Sequence, residues 1–333
     1  MIEAGDASCW RIGESIPPAT NRVLRDLGVW DAFLAQDHLP SAGTCASWGK
    51  QDLGYNDFIV DRQGKGWHLD RAAFDRMLAA EAEARGVAFL RGRKLADAEA
   101  AQGGFALVLE DASGARSCIE ARFLVDATGI AASAVRRLGV ARNQLDCLAV
   151  LSAVFALADP ERLPSQALLE ACESGWWYAA KLPGARMIAA LAVDPAERHR
   201  RAAPGDWQAA LRKTAHLSQW LDRGGADTAL PPATALAPSA ILSRVVGKNW
   251  LAVGDAASAY DPISSLGIHK ALGDGLAAGR AIAESLTSGK APLLAYQEGV
   301  FARFRDYWNL RGHLYAQERR WPAAPFWRAR QAG

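Results

Sequence analysis

A chain of 333 residues, half of them hydrophobic, can bury a large core, and its length suggests about two domains. The net charge is only +2, with both signs mixed along the chain, and every apolar run is broken well before ~18 residues, so neither nucleic acid nor a membrane is expected as a partner. Met1 is followed by an acidic segment, not a basic one with an apolar core, and the five cysteines (Cys9, Cys45, Cys118, Cys147, Cys172) are far apart with no C-x-x-C, which predicts reduced thiols in a cytoplasmic protein without a zinc site.

Taken in order, "MIEAGDASCWRIGESIPPATNRVLRDLG" opens with a very short apolar piece, an acid and a loop, then a helix from about Thr20 to Leu27 that stops at Gly28. "SAGTCASWGKQDL" and "DFIVD" read as short strands and turns. "WHLDRAAFDRMLAAEAEARGV" carries Leu69, Phe74, Met77 and Leu78 at helical spacing and closes at Gly86. Three strand-like pieces follow, 88–95, 105–109 and 118–125, as in a meander, with the third running into "FLVDATG". From Gln144 to about Leu242, "CLAVLSAVFALAD", "GWWYAAKLPG" and "RMIAALAVDP" predict long strands of a second sheet and "DWQAALRKTAHLSQWLD" one helix. The chain ends in helices from Leu293 and a tail, "RRWPAAPFWRARQ", whose Arg319, Arg320, Arg328, Arg330, Trp321 and Trp327 predict a solvated helix face or a partner dock.

The stretch that carries most is "NWLAVGDAASAYDPISSLGIHKALGDGLAAGRAI". Its apolar run Trp250 to Val253 has strand length, and Gly254 ends it where the backbone turns sharply or meets something closely. Asp255 then lies at the strand's carboxyl edge, where an open α/β sheet binds ligands because strand ends and helix N-termini converge there. A helix dotted with small residues follows, from about Lys270 to Ala283.

The order of Gly254-Asp255, Pro262, Gly267 and that helix resembles the Gly-Asp motif of FAD-dependent monooxygenases and tryptophan-halogenase-like enzymes with the glutathione-reductase-type FAD fold. The resemblance implies an α/β fold: a Rossmann-type FAD-binding domain, a mixed β-sheet substrate domain and C-terminal helices. The expected division is a discontinuous FAD-binding domain (1–40, 67–143, 245–292), a substrate domain (41–66, 144–244) and a helical end (293–333). It also implies FAD as cofactor, with Asp255 accepting hydrogen bonds from the ribityl chain. The loop through Pro262, Ser265, Gly267 and Ile268 would pass the flavin, its helix N-terminus facing the edge that turns negative on reduction. "FLVDATG" resembles the second strand-to-turn element, which brings Asp126, Ala127 and Gly129 to the diphosphate. "RIGESIPP" resembles the Gly-Glu-Ser loop beside the flavin, with Arg11, Gly13, Glu14 and Ser15, and "HLDRAAFDRML" a helix that sets Arg71 near the cofactor. Glu3 matches the acid that binds the adenosine ribose.

The family opens with a strand and G-x-G-x-x-G about 20 residues before that ribose acid, which here is residue 3. The expectation is a chain lacking its first strand and helix, through a late start codon or a partial gene. "GDGLAAG" at Gly273 to Gly279 has the wrong spacing and is expected inside a helix, as a close-packing stretch.

The tail, "DPISSLGIHKAL" and "GWWYAAKLP" are similar to a narrower group that matures quinone-containing amine and amino-acid oxidases by hydroxylating a tryptophan of a partner protein. Halogenases of the superfamily carry Pro-Leu-Glu-Ser-Thr-Gly-Ile and W-x-W-x-I-P. Here Ser264 stands in place of that Glu, Tyr178 and Ala180 replace the two tryptophans, and nothing around Lys50 matches the halogenase lysine. The resemblance therefore implies an FAD-dependent oxidoreductase that hydroxylates an electron-rich aromatic through a flavin C4a-hydroperoxide. The substrate is either a tryptophan side chain in a partner polypeptide or a small aromatic. O2 is the co-substrate, and electrons come from NAD(P)H or a separate flavin reductase. Halogenation and a non-catalytic fragment acting as a binding partner are the alternatives. No catalytic base is identified; at least one of Trp176, Trp177 and Tyr178 is expected to face the substrate.

Overall fold

The long apolar runs of the middle third assemble into one eight-stranded sheet. In spatial order its strands are Ser258–Ala259, Ala233–Leu242, Arg142–Ala156, Arg186–Val193, Gly175–Leu182, Ala167–Cys172, Gly43–Ser47 and Gly54–Asp57. Neighbours are antiparallel except Ala167–Cys172 with Gly43–Ser47. The structure is a computed structural model that describes residues 1–5, 12–227 and 231–331, with the backbone only at Pro204.

Both faces of this sheet are covered, which is why its strands read as nearly continuous apolar runs and not as an alternation. Ala149, Leu151, Ala153 and Phe155 face helices Pro204–Arg212 and Leu217–Gly224 through Trp207, Leu211 and Trp220. Leu148 and Val150, one step out of phase, face the C-terminal segment through Tyr315, Phe326 and Trp327. The single helix expected over this stretch is two, because the buried carboxylate of Glu170 accepts from the amides of Ala215, His216 and Leu217 and so starts a new helix there.

Leu124–Asp126 and Trp250–Ala252 form a parallel pair, with Asp126 opposite Ala252, so the turns after both strands leave the same carboxyl edge. The strand expected over 118–125 is likewise two: Arg116–Ala121 closes a meander with Gly104–Asp111 and Arg93–Ala101, and Leu124–Asp126 belongs to the parallel sheet. Ile2–Glu3 pairs in parallel with Leu90–Arg91 in a separate two-stranded sheet. Helix Arg71–Ala84 is capped by Asp70, whose side chain accepts from the Ala73 amide.

Helix Gly267–Ser288 packs on Ala291–Gln317 and covers the parallel pair through Ala278, Ala281, Tyr296 and Val300. Gly273, Gly275 and Gly279 lie within that helix, but a Cβ at any of them would meet nothing within 4 Å; the expected close packing is not there, and nothing in the structure explains these glycines.

The tail differs most from expectation. Trp327 is fully buried, and Arg330 is 6% exposed and paired with Asp146 at 3.0 Å and Asp194 at 2.8 Å. Arg320 pairs with Glu318 and donates to the Ser47 carbonyl. Arg320 and Arg330 thus find partners on or beside distant strands while Arg319 and Arg328 stay exposed, so the segment Pro325–Gln331 caps the sheet with one face and leaves the other solvated.

Candidate active site

A cavity of about 610 Å³ opens where the parallel pair's carboxyl edge meets the inner face of the large sheet, a size usual for cofactor and substrate sites. On one side it is lined by Gly13, Glu14, Ser15 and Arg71, by Ala127 and Gly129, and by Gly254 and Asp255. Pro262, Ser265, Gly267 and Ile268 follow along the same side. The opposite wall is apolar, with Val150, Trp176, Ala190, Ala192 and Leu236. Among the described residues, two of the expected cofactor residues do not line it. Glu3 belongs to the separate strand pair, and the Asp126 side chain is turned inward; Arg11 lies outside the described residues.

The inward turn of Asp126 corrects its expected role. Its carboxylate, 1% exposed, accepts from the Thr128 amide at 2.9 Å, the Thr128 hydroxyl at 2.6 Å and the amides of Ala134 and Val135 at 3.0 and 2.9 Å. It has no capacity left for a diphosphate. It holds the turn so that Ala127 and Gly129 (φ 65°) reach the cavity instead. Gly254 is the other place where only glycine's freedom serves: at φ 57° it turns the chain from strand into the Asp255 turn.

Arg71 also acts on protein atoms. Its guanidinium donates to the carbonyls of Ile12 at 2.9 Å and Gly13 at 2.8 Å and so clamps the Gly-Glu-Ser loop against the helix. Within that loop Glu14 is 2% exposed, and neither carboxylate oxygen has a hydrogen-bond partner. Burial pushes its carboxyl up to about 7, only partly countered by the nearby Gly13 amide and the Arg71 charge. Ser15 meets the large sheet directly through a 2.6 Å hydrogen bond between its hydroxyl and that of Tyr178. Burial first, and then the Glu14 charge, hold the Tyr178 phenol well above its ordinary value.

Alternation along Gly175–Leu182 sorts the three aromatic residues. Trp176 and Tyr178 line the cavity; Trp177 points to the other face, where it packs on Trp207 at 5.0 Å between ring centroids. Trp177 therefore does not face the cavity.

Several residues enter the site that the linear pattern did not single out. Lys270, 6% exposed, places its ammonium 2.9 Å from Asp255 Oδ1, also donates to the Ser258 carbonyl and lies over the Tyr260 ring. Asp261 is 1% exposed and accepts from the Ile263 amide at 3.0 Å, Arg311 Nε at 3.2 Å and the Tyr315 hydroxyl at 2.8 Å. Burial raises its carboxyl in spite of Arg311. The Asp-Pro pair at 261–262 was a readable signal for this turn, since an Asp side chain caps its own chain two residues on.

The donor set fits FAD. The 22-residue helix Gly267–Ser288 points its N-terminus, whose first amides have no intrahelical acceptor, into the cavity. Asp255 offers an acceptor at the strand's carboxyl edge, and the positive-φ turns at Gly129 and Gly254 let backbone approach a ligand.

Fold, edge and donor set define a flavin-dependent oxidoreductase. The chain belongs to the FAD binding domain family, which matches residues 13–304, and is an FAD-dependent oxidoreductase. It is 27% identical over 337 residues to LodB of Marinomonas mediterranea, described as an FAD-dependent oxidoreductase, covering 100% of this chain and 89% of LodB. Among solved structures, the flavin-dependent halogenase CmlS superposes with a TM-score of 0.84 at 23% identity, over 99% of this chain. This chain spans 62% of the length of CmlS, under two thirds. The peptidyl tryptophan dihydroxylase QhpG, essential for tryptophylquinone cofactor biogenesis, superposes with a TM-score of 0.76 at 25% identity, over 99% of this chain and 72% of QhpG. No helix among the described residues is long and apolar enough to cross a membrane.

Proposed function

We propose that this protein is an FAD-dependent monooxygenase that hydroxylates an electron-rich aromatic ring, a tryptophan side chain presented by a partner polypeptide. The observation that carries the reading is the single cavity that joins the Gly254-Asp255 edge to an apolar wall of Trp176, Val150, Ala190 and Ala192. Such a wall receives a flat ring and excludes water. The likeness to QhpG over nearly the whole chain supports a peptide-borne tryptophan. Segments 1–40, 67–143 and 245–292 would hold the cofactor, 41–66 and 144–244 the substrate, and 293–333 would close the sheet.

When bound, FAD supplies the oxygen chemistry once reduced by NAD(P)H or a separate flavin reductase. The chain's own residues do the rest. The helix N-terminus at Gly267 stabilises negative charge, Asp255 accepts a ribityl hydroxyl, and the Arg71 clamp keeps the Gly-Glu-Ser loop in place.

Two measurements check this. Asp255→Ala removes a charge-assisted acceptor and is expected to weaken FAD binding about ten- to a hundredfold, or about 1.5–3 kcal/mol, by flavin fluorescence titration. Unchanged affinity would remove Asp255 from the site. The second decides the reaction, since a halogenase shares the fold. With FAD, reductant, O2, excess bromide and a tryptophan-containing peptide, Ser264 in place of the halogenase carboxylate predicts oxygenated peptide or peroxide. Brominated peptide by mass spectrometry would replace hydroxylation with halogenation.

A further inference from the structure

An enzyme that activates O2 beside oxidisable aromatic residues risks losing them whenever the oxidant forms without substrate. The aromatic residues behind this cavity are arranged in a connected line. Trp176, 3% exposed, lines the cavity and donates its indole N–H to the Tyr315 hydroxyl at 3.1 Å. Tyr315, fully buried, donates that hydroxyl's own proton to Asp261 Oδ2 at 2.8 Å. On its far side Tyr315 meets Trp48 with ring centroids 6.2 Å apart, and Trp48 is half-buried, at the surface end of the line.

We propose that Trp176, Tyr315 and Trp48 form a route that delivers an electron from the protein surface to the oxygen-activating cavity and so discharges stray oxidant. The steps balance one electron at a time. A one-electron oxidant in the cavity, a reduced-oxygen radical or photoexcited flavin, takes an electron from Trp176. Tyr315 returns it and releases its phenolic proton to Asp261 along the existing hydrogen bond. Trp48 then reduces the Tyr315 radical, which recovers its proton from Asp261. The oxidised Trp48 is reduced by a small thiol in solution, two thiols giving one disulfide and two protons for every two electrons.

Asp261 makes this line different from the other aromatic stack at the cavity. Tyr260 stacks on Tyr307 at 3.9 Å, and Tyr307 meets Trp308 at 6.4 Å. The Tyr307 hydroxyl, however, accepts from the Asp261 amide and pairs with the Ser239 hydroxyl, with no carboxylate to take its proton. Lys270 lies over Tyr260 and Arg311 over Trp308, and both disfavour positive charge there; Arg311 lies equally close to the Tyr315 ring, but loss of the Tyr315 phenolic proton to Asp261 leaves that oxidised ring neutral. Arg320 likewise disfavours positive charge at Trp321, the half-buried tryptophan beside Trp327.

The inference holds whichever reaction the enzyme performs, and its test needs no turnover. FAD-loaded protein is illuminated without oxygen in the presence of a nitroso spin trap, so that the flavin itself is the oxidant inside the cavity, and the adduct is located by peptide mass spectrometry. The trap is expected on Trp48 in the native protein, on Trp176 in Tyr315→Phe, and on Tyr315 in Trp48→Phe, which gives up the Trp48 bond to the Leu314 carbonyl but keeps those from Trp176 to Tyr315 and from Tyr315 to Asp261, and serves if Tyr315→Phe does not fold. A thiol added before illumination should abolish the Trp48 adduct. An adduct that stays on Trp176 in the native protein, or that marks Trp30, Trp308 or Trp321 as strongly as Trp48, would overturn the route.

Discussion

Arg311→Met is expected to lower the unfolding free energy by about 3 kcal/mol, the size usual for removing one partner of a buried ion pair. Arg311 is 4% exposed and reaches Asp261 at 3.2 Å as well as Asp146. Asp146 keeps Arg330 at 3.0 Å after the change, so the group left uncompensated is Asp261. It retains the Tyr315 hydroxyl and the Ile263 amide but loses its only nearby positive charge among the described residues. Burial already raises the Asp261 carboxyl, and without the guanidinium it rises further. Protonation then limits the loss. A raised folded-state value stabilises at low pH and is lost as pH climbs through it, so the deficit of the variant should shrink toward acid. Denaturant midpoints near pH 8 and pH 5 measure both quantities; a loss below about 1 kcal/mol, equal at the two pH values, would show that Asp261 needs no counter-charge.

Glu14→Gln should have the opposite sign at neutral pH and above. The folded protein holds the Glu14 carboxyl at about 7, above the ordinary 4.5, because burial penalises the charge. Between those values the folded state binds more protons than the unfolded chain, so the native protein is favoured below the lower value and loses that advantage as pH rises through the upper one. At ~1.4 kcal/mol for each pH unit the loss reaches about 3 kcal/mol. Gln cannot ionise and has nearly the same shape, so the variant should match the native protein near pH 5 and exceed it by up to that amount near pH 8. A difference that does not vary with pH would falsify the assignment of a strained carboxylate to this loop. With the Tyr178–Ser15 bond 2.6 Å long across the same junction, any relaxation of the loop should also reach the cavity wall.

Much of this molecule follows from local pattern. The strand ending at Gly254-Asp255, the helix that follows Gly267 and the loop of Gly13 to Ser15 are each written in a few consecutive residues. They were readable because backbone turns and helix starts depend on near neighbours. The long strands between 142 and 193 were readable for a related reason, since burial on both faces leaves an unbroken apolar run.

Roles that depend on contact across the chain were not. Alternation says that Trp176 and Tyr178 share a face and that Trp177 does not, but which face is the cavity depends on where Trp207 and Tyr315 arrive. Ser15 and Tyr178 are 163 positions apart, Trp176 and Tyr315 139. Asp126 looked like a ligand because its motif is at a strand end, yet four local donors consume its carboxylate. The arginines of the tail looked solvated because charge usually is; Asp146 and Asp194, on and beside strands far earlier in the chain, draw Arg330 inside. Sequence alone determined the FAD-type strand, turn and helix order, because those signals are local in the backbone. Tertiary structure alone decided which carboxylates stay free, which aromatic residues face the cavity and which charges are buried, because burial and pairing depend on groups that folding brings from elsewhere.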